Sequence, residues 1–265
     1  MRLFLVLAMI ISIDCFSQET APAPTPAVAT EVKPVEEDMP AKKVVLKMLE
    51  EFQKMADNKS GYLSSAYSYN QYMKKDAELA GVTSKLIDFY DVCEKSLKYN
   101  YDDTTQSFKN DHWAGKSDKD KAYFVSLFQQ LIESIVYPIA NDYFGNYKMT
   151  HSVLEVKGNK VTIRSIVQNK KKRRMNFKMD WFLHLRDGMW RIYDVDVDGE
   201  RWVPSFRSQF NDVITEKSYP KLIELMQKKL KETKEERTKN DKADLAAAKA
   251  KKKTKAKSQP AGGVK

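Results

Sequence analysis

The densest run of chemistry-bearing residues in this 265-residue chain is Asp194-Val195-Asp196-Val197-Asp198-Gly199-Glu200. Alternating carboxylates that end in a glycine turn are what a hard cation such as calcium takes as ligands. A complete loop of that kind also carries a bidentate acid at its twelfth position, which here is Ser205. Val195 and Val197 alternate with the acids as residues of a half-buried strand do, so a strand with one wet face is expected and a metal is not. The three histidines, His112, His151 and His184, have no second histidine or cysteine at ligand or nucleophile spacing. There is no G-x-S-x-G elbow and no glycine-rich phosphate loop. On the predicted strands only Asp180 and His184 form even a loose acid–base pair. The chain is therefore expected not to be an enzyme and to need no cofactor.

Two basic runs, Lys170-Lys171-Lys172-Arg173-Arg174 and Lys251-Lys252-Lys253, invite a nucleic-acid reading. Neither is interleaved with aromatics that would stack on bases, so no nucleic acid is expected. Solvated charge is the default, and peripheral contact with anionic headgroups is the alternative.

The elements that must position any site follow from periodicity. Residues 42–56 place Val45, Met48, Leu49, Phe52 and Met55 at helical spacing, and Asp57 to Gly61 is expected to end that helix. Residues 62–82 are read as helical. Ser84 is expected to cap a helix carrying Leu86, Ile87, Tyr90, Cys93 and Leu97 on one face. The strongest helix runs from Asp118 to about Phe144 behind a Ser117/Asp120 capping box, with Pro138 expected to bend or break it. Its apolar face of Phe124, Phe128, Leu131, Ile135 and Ile139 is broadened by Val125, Ile132 and Val136. After Gly145 the period becomes two. Segments 149–157, 160–168, 174–186 and 189–198 read as an antiparallel meander turning at Gly158-Asn159, Asn169 to Arg173 and Asp187-Gly188. Helices return at Ser205 and after Ser218-Tyr219-Pro220. Helices, one sheet, then helices make an α+β fold with helices packed on one sheet face.

The two ends differ from the middle. Met1-Arg2 followed by eleven mostly apolar positions, Leu3 to Ile13, reads as a secretory signal peptide over 1–17, cleaved near Ser17. Asp14 precedes Cys15 where a lipoprotein would carry a small residue, so lipidation at Cys15 is the weaker reading. Removal of the signal leaves Cys93 alone, which denies the fold an internal disulfide. Residues 18–40 are Pro-, Ala- and acid-rich and expected to be disordered. Residues 41–230 form the domain. Residues 231–265, with twelve basic and five acidic side chains (12 − 5 = +7), are expected to be a Lys-rich disordered tail, with any helix confined to its start. Of the formal +10, the tail holds +7 and the leader −4, so the domain is itself +7 and favours anionic partners.

The domain resembles the MlaC-type periplasmic phospholipid-binding proteins, also called the toluene-tolerance family, over roughly residues 84–230. The resemblance rests on ordered blocks. These are Tyr101-Asp102, Ser107-Phe108 and Trp113; Phe124-Val125, Leu127-Phe128 and Leu131, with Tyr143; and Val161-Thr162-Ile163-Arg164. Most specific are Trp190-Arg191-Ile192-Tyr193-Asp194-Val195 before Gly199, then Phe206-Arg207-Ser208-Gln209-Phe210 and Ser218-Tyr219. It departs at Phe108-Lys109, where the family usually has Leu-Gly, and at Gly199-Glu200-Arg201-Trp202, where Gly-Val-Ser usually follows.

The resemblance implies an NTF2-like fold in which helices and a curved antiparallel sheet enclose an apolar cleft for phospholipid acyl chains. It further implies a soluble carrier in the periplasm of a Gram-negative bacterium. As partners it implies an inner-membrane ABC transporter complex with MCE domains and an outer-membrane lipoprotein complex, with phospholipid as cargo. By position, Phe128, Leu131, Ile135, Ile163, Phe177, Met179, Trp181, Val195, Phe206 and Phe210 are candidates for the cleft wall. The same residues would serve a solid core, in which case the chain is a non-enzymatic envelope interaction module that binds through its basic tail.

Overall fold

A computed structural model describes residues 39–102, 105, 107–144, 147–169 and 176–257. The expected signal peptide, nearly all of the leader and the Lys170–Arg174 run lie outside them. The elements run α1 (Pro40–Leu63), α2 (Tyr69–Ser84), α3 (Phe89–Ser96), β1 (Lys98–Asp102), β2 (Ser107–Asp111), α4 (Asp118–Phe144), β3 (Tyr147–Lys157), β4 (Lys160–Asn169), β5 (Asn176–Arg186), β6 (Met189–Val197), β7 (Glu200–Arg201), α5 (Trp202–Glu216) and α6 (Tyr219–Lys257).

The period-two segments pair as read. β3-β4-β5-β6-β7 form one antiparallel sheet, with Ile163 opposite Trp181 and Trp181 opposite Val195. The turn between β5 and β6 places Asp187 and Gly188 at φ 51° and 73°, the left-handed pair that a tight hairpin needs. Val161, Ile163, Val167, Met179, Trp181, Leu183, Ile192, Val195 and Val197 are all buried on one side. Arg164 and Asp180, which alternate with them, pair through two hydrogen bonds on the other side. The α+β architecture is thus the expected one.

Local signals and tertiary contacts part company at several boundaries. α1 does not stop at Asp57–Gly61 but runs to Leu63. Asn58 is buried, its Nδ2 donates to Tyr72 O at 3.1 Å, and the Tyr67 hydroxyl donates to its Oδ1 at 2.8 Å. Those bonds hold Asn58 in helix that its own propensity disfavours. Gly61 is required by close approach, because a Cβ there would run into the Tyr67 ring.

Ser84 is not an N-cap. It ends α2, and its hydroxyl donates to Glu133 Oε1 at 2.6 Å. Asp88 caps α3 instead, accepting from Asp91 N at 3.1 Å. Leu86 and Ile87 form a turn that bridges to β6, with Ile192 N donating to Leu86 O and Asp88 N to Ile192 O.

The β1–β2 hairpin is an element the sequence did not announce. Its strands are five residues each and mostly polar, too short for a period to stand out. Ser117 caps α4 as expected, accepting from Asp120 N at 3.2 Å and donating to Asp120 Oδ2 at 2.6 Å. Pro138 stays within a helix that continues to Phe144, so it does not break it. α5 starts at Trp202, three residues before the expected Ser205.

The largest correction concerns the C-terminus. Residues 231–257, expected as disordered tail, continue α6 into a single helix of 39 residues, about 58 Å long at 1.5 Å per residue. The reason is a buried polar latch. Arg237 Nη2 reaches Asp76 Oδ2 on α2 at 2.7 Å and donates to the Tyr72 hydroxyl at 3.2 Å. Lys59 on α1 lies 3.9 Å from buried Asp241 and 3.3 Å from Asp244. Tyr62 and Tyr72 stack beneath, with ring centroids 4.8 Å apart. At the other boundary, Pro40, assigned to the leader, opens α1 in the first-turn position that proline suits.

Candidate functional site

All ten candidate wall residues join one apolar core, Phe177 at its margin and the other nine no more than 8 % exposed. Their helical half is an aromatic cluster. Phe128 meets Phe206 edge-on at 5.0 Å, and Phe206 and Phe210 stack at 5.9 Å. Phe124, at the same α4 face, meets Phe210 edge-on at 5.8 Å. Leu131 and Ile135 extend that face at i+3 and i+7 from Phe128. The sheet half is the row Ile163, Trp181 and Val195, with Met179 one step along β5 and Phe177 opposite Val167.

What joins the halves is α1. It packs on β4 and β6 as well as on α4, and it buries Ala41, Val45, Met48, Phe52 and Met55. Its apolar stripe was legible as a helix face, yet nothing in the spacing said that the face would lie between the sheet and the α4 helix. Burying each of those Val and Met side chains is worth about 1.5–3 kcal/mol.

One polar constellation sits inside this apolar interior. Ser165 is fully buried, accepts from Trp181 Nε1 at 2.9 Å and contacts His151 Nδ1 at 2.8 Å. With the Trp181 N–H filling one lone-pair direction, the serine hydroxyl donates to Nδ1 or accepts from it according to the tautomer of a neutral His151 ring. Burial first, and then the Lys42 charge, hold His151 below its ordinary 6.5, which favours that neutral form. Neither Ser165 nor His151 was singled out as a site residue from the sequence; their pairing depends on the β3–β4 register, which sets the two opposite each other.

The loose acid–base pair of Asp180 and His184 is not assembled. Asp180 is taken by Arg164, and His184 Nε2 lies 3.0 Å from Asp88 Oδ2, with Arg186 at 3.6 Å from the same oxygen. His112 Nε2 contacts Asn211 Oδ1 at 3.2 Å.

The acids of the candidate cation loop are spent on the backbone. Asp194 accepts from Val195 N and Val203 N and pairs with Arg201 at 2.7 Å. Asp196 accepts from Gly199 N, and Asp198 from Lys178 N. Burial raises Asp194 above its usual 3.8 against the pull of these partners. Among the described residues no group of three His, Cys, Asp or Glu side chains is placed to hold a metal ion. Val195 and Val197 are buried between these acids, as the strand reading expected.

A separate open groove of about 450 Å³ lies between α4 and α6, lined by Tyr123, Leu127, Gln130, Leu230, Lys231 and Lys234 among others. None of the ten candidates lines it. Tyr123, Leu127 and Gln130 occupy a different flank of α4 from Phe128, Leu131 and Ile135.

The MlaC protein family matches this chain over residues 73–228. That span runs from within α2 to within the first part of α6, and it leaves out α1 and the Arg237 latch. Among solved structures, the phospholipid-binding protein from Ralstonia solanacearum in complex with a phospholipid is similar, with a TM-score of 0.54 and 15% sequence identity. The alignment covers 72% of this chain and 95% of that one, a likeness of fold. No curated protein matches the chain. Among the described residues no helix is long and apolar enough to cross a membrane.

Proposed function

The chain belongs to the MlaC family, and on that premise we propose that it is a phospholipid carrier and not an enzyme. It takes acyl chains into the space bounded by α1, α4, α5 and the inner sheet face. The observation that carries the reading is the continuous apolar interior between the helices and one sheet face, on the fold of a neighbour described in complex with a phospholipid. Each acyl CH₂ removed from water is worth about 0.8 kcal/mol, so two chains cross an aqueous gap only inside such a shield, and no covalent chemistry is needed.

The ten candidates form the wall in this reading. The signal-like N-terminus fits export to the periplasm of a Gram-negative cell, where lipid has to pass between two membranes. The docking partners in this reading are an inner-membrane ABC transporter complex with MCE domains and an outer-membrane lipoprotein complex.

The low exposure of the same ten residues also suits a second reading, a solid-core interaction module. A transfer assay separates the two. Donor vesicles carrying a fluorescent phospholipid are mixed with acceptor vesicles in the presence of the protein. The carrier reading expects transfer that scales with protein concentration and is lost in Leu131→Trp, which fills the interior. Transfer no faster than in buffer favours the module.

A further inference from the structure

We propose that the distal half of α6 is a rigid basic stripe that lays the protein on anionic bilayers. Between Lys239 and Lys253 the helix carries acids only at Asp241, which is buried and pairs with Lys59 of α1 and with Arg237 on its own helix, and at Asp244, which is half-exposed and pairs with Lys59. A neighbouring face then reads Lys239, Lys242, Ala246, Lys249 and Lys253, a 3-4-3-4 spacing that keeps them in one line. All five are exposed, and Lys242 also lies 5.9 Å from the Tyr69 ring centroid. Glu232 and Glu235 share that face upstream, so the stripe begins only at Lys239.

The latch makes this a surface and not a loose tail. Arg237 on Asp76, Lys59 on Asp244 and Lys252 Nζ on Ser64 O at 2.9 Å tie the inward face to α1, α2 and the turn after α1. Four lysines are thereby held along about 21 Å of helix, with alanine between them so that the axis can approach closely. A straight cationic line without aromatic or large apolar anchors suits a plane of anionic headgroups and binds it by charge alone. The choice of a bilayer over an acidic protein face rests on the carrier reading, because a carrier has to meet its membranes.

The test is sedimentation of the chain from Gln18 to Lys265 with vesicles of phosphatidylethanolamine and phosphatidylglycerol, and with vesicles of phosphatidylcholine alone. The variant K239Q/K242Q/K249Q/K253Q is compared with K119Q/K160Q/K178Q/K217Q, which loses the same charge off the stripe. The stripe variant is expected to lose on the order of tenfold or more of its partition to the anionic vesicles at low salt, and the control less than about threefold. Replacement of the same four lysines by arginine is expected to restore binding. Equal losses in the two variants, no loss in either, or equal binding to phosphatidylcholine would overturn the proposal. Phospholipid content of the stripe variant is measured in parallel. A stripe effect without bound phospholipid defeats the carrier reading alone, and bound phospholipid without a stripe effect defeats this one alone.

Discussion

Trp181 Nε1 donates to Ser165 Oγ at 2.9 Å across two strands, inside an otherwise apolar sheet face. Ser165→Ala leaves the buried indole N–H without a partner, at a cost of about 1–3 kcal/mol, or a fall in melting temperature of roughly 3–10 °C. Trp181→Phe in that background is expected to cost less than in the parent, because the bond is already gone. A thermal-denaturation double-mutant cycle checks this, and strict additivity would contradict the coupling.

The latch on α6 should be an integral part of the fold. Arg237→Met strands Asp76, which is 5 % exposed, and is expected to cost about 3–5 kcal/mol in urea unfolding. Asp76 Oδ1 already lacks a hydrogen-bond partner, so the pair is imperfectly satisfied. Adding Asp76→Leu to Arg237→Met should therefore recover most of the loss. If Arg237→Met is as stable as the parent, residues beyond 230 are not held by this pair.

Cys93 is fully buried, and burial raises its thiol well above the ordinary value. In a chain beginning at Gln18 it is the only thiol. An aromatic disulfide reagent at mildly alkaline pH is expected to leave the native protein unmodified and to titrate one thiol in denaturant. Reaction of the native protein at the rate of a free thiol would show that the α3 face opens readily.

His151 gives stability a pH dependence of defined sign. Its folded value lies below 6.5, so between the two values the unfolded chain binds the proton and the folded chain does not. Stability then rises with pH through the window just below 6.5 and is lost as pH falls through it, levelling off once the folded histidine also protonates. Urea midpoints of parent and His151→Asn between about pH 5 and 7.5 check this, with a shallower slope expected for the variant. Equal slopes would place the titration elsewhere.

The parts of this fold that could be read from the sequence are those whose signal is local and long. The α4 face at three- and four-residue spacing, the two-residue alternation of β5 and the Asp187-Gly188 turn each repeat or concentrate one rule. What could not be read depends on partners far away in sequence. Asn58 stays helical because Tyr72 O and Tyr67 accept and donate to it, and α6 runs past Leu230 because Asp76 awaits Arg237. Of the candidate site, the membership of its ten residues in one apolar cluster was legible as side-chain type and spacing. The role of α1 between sheet and α4, and the Ser165–His151 contact, were not, since both follow from packing and register.

Phospholipid held in the interior can be sought directly. The chain from Gln18 to Lys265, purified without detergent from a cell that exports it, is extracted into organic solvent, and its lipid is quantified by mass spectrometry against protein. Phospholipid is expected at near-stoichiometric amount in the parent and is expected to be lost in Leu131→Trp that remains folded. Lipid-free protein that also fails to load from vesicles would contradict it.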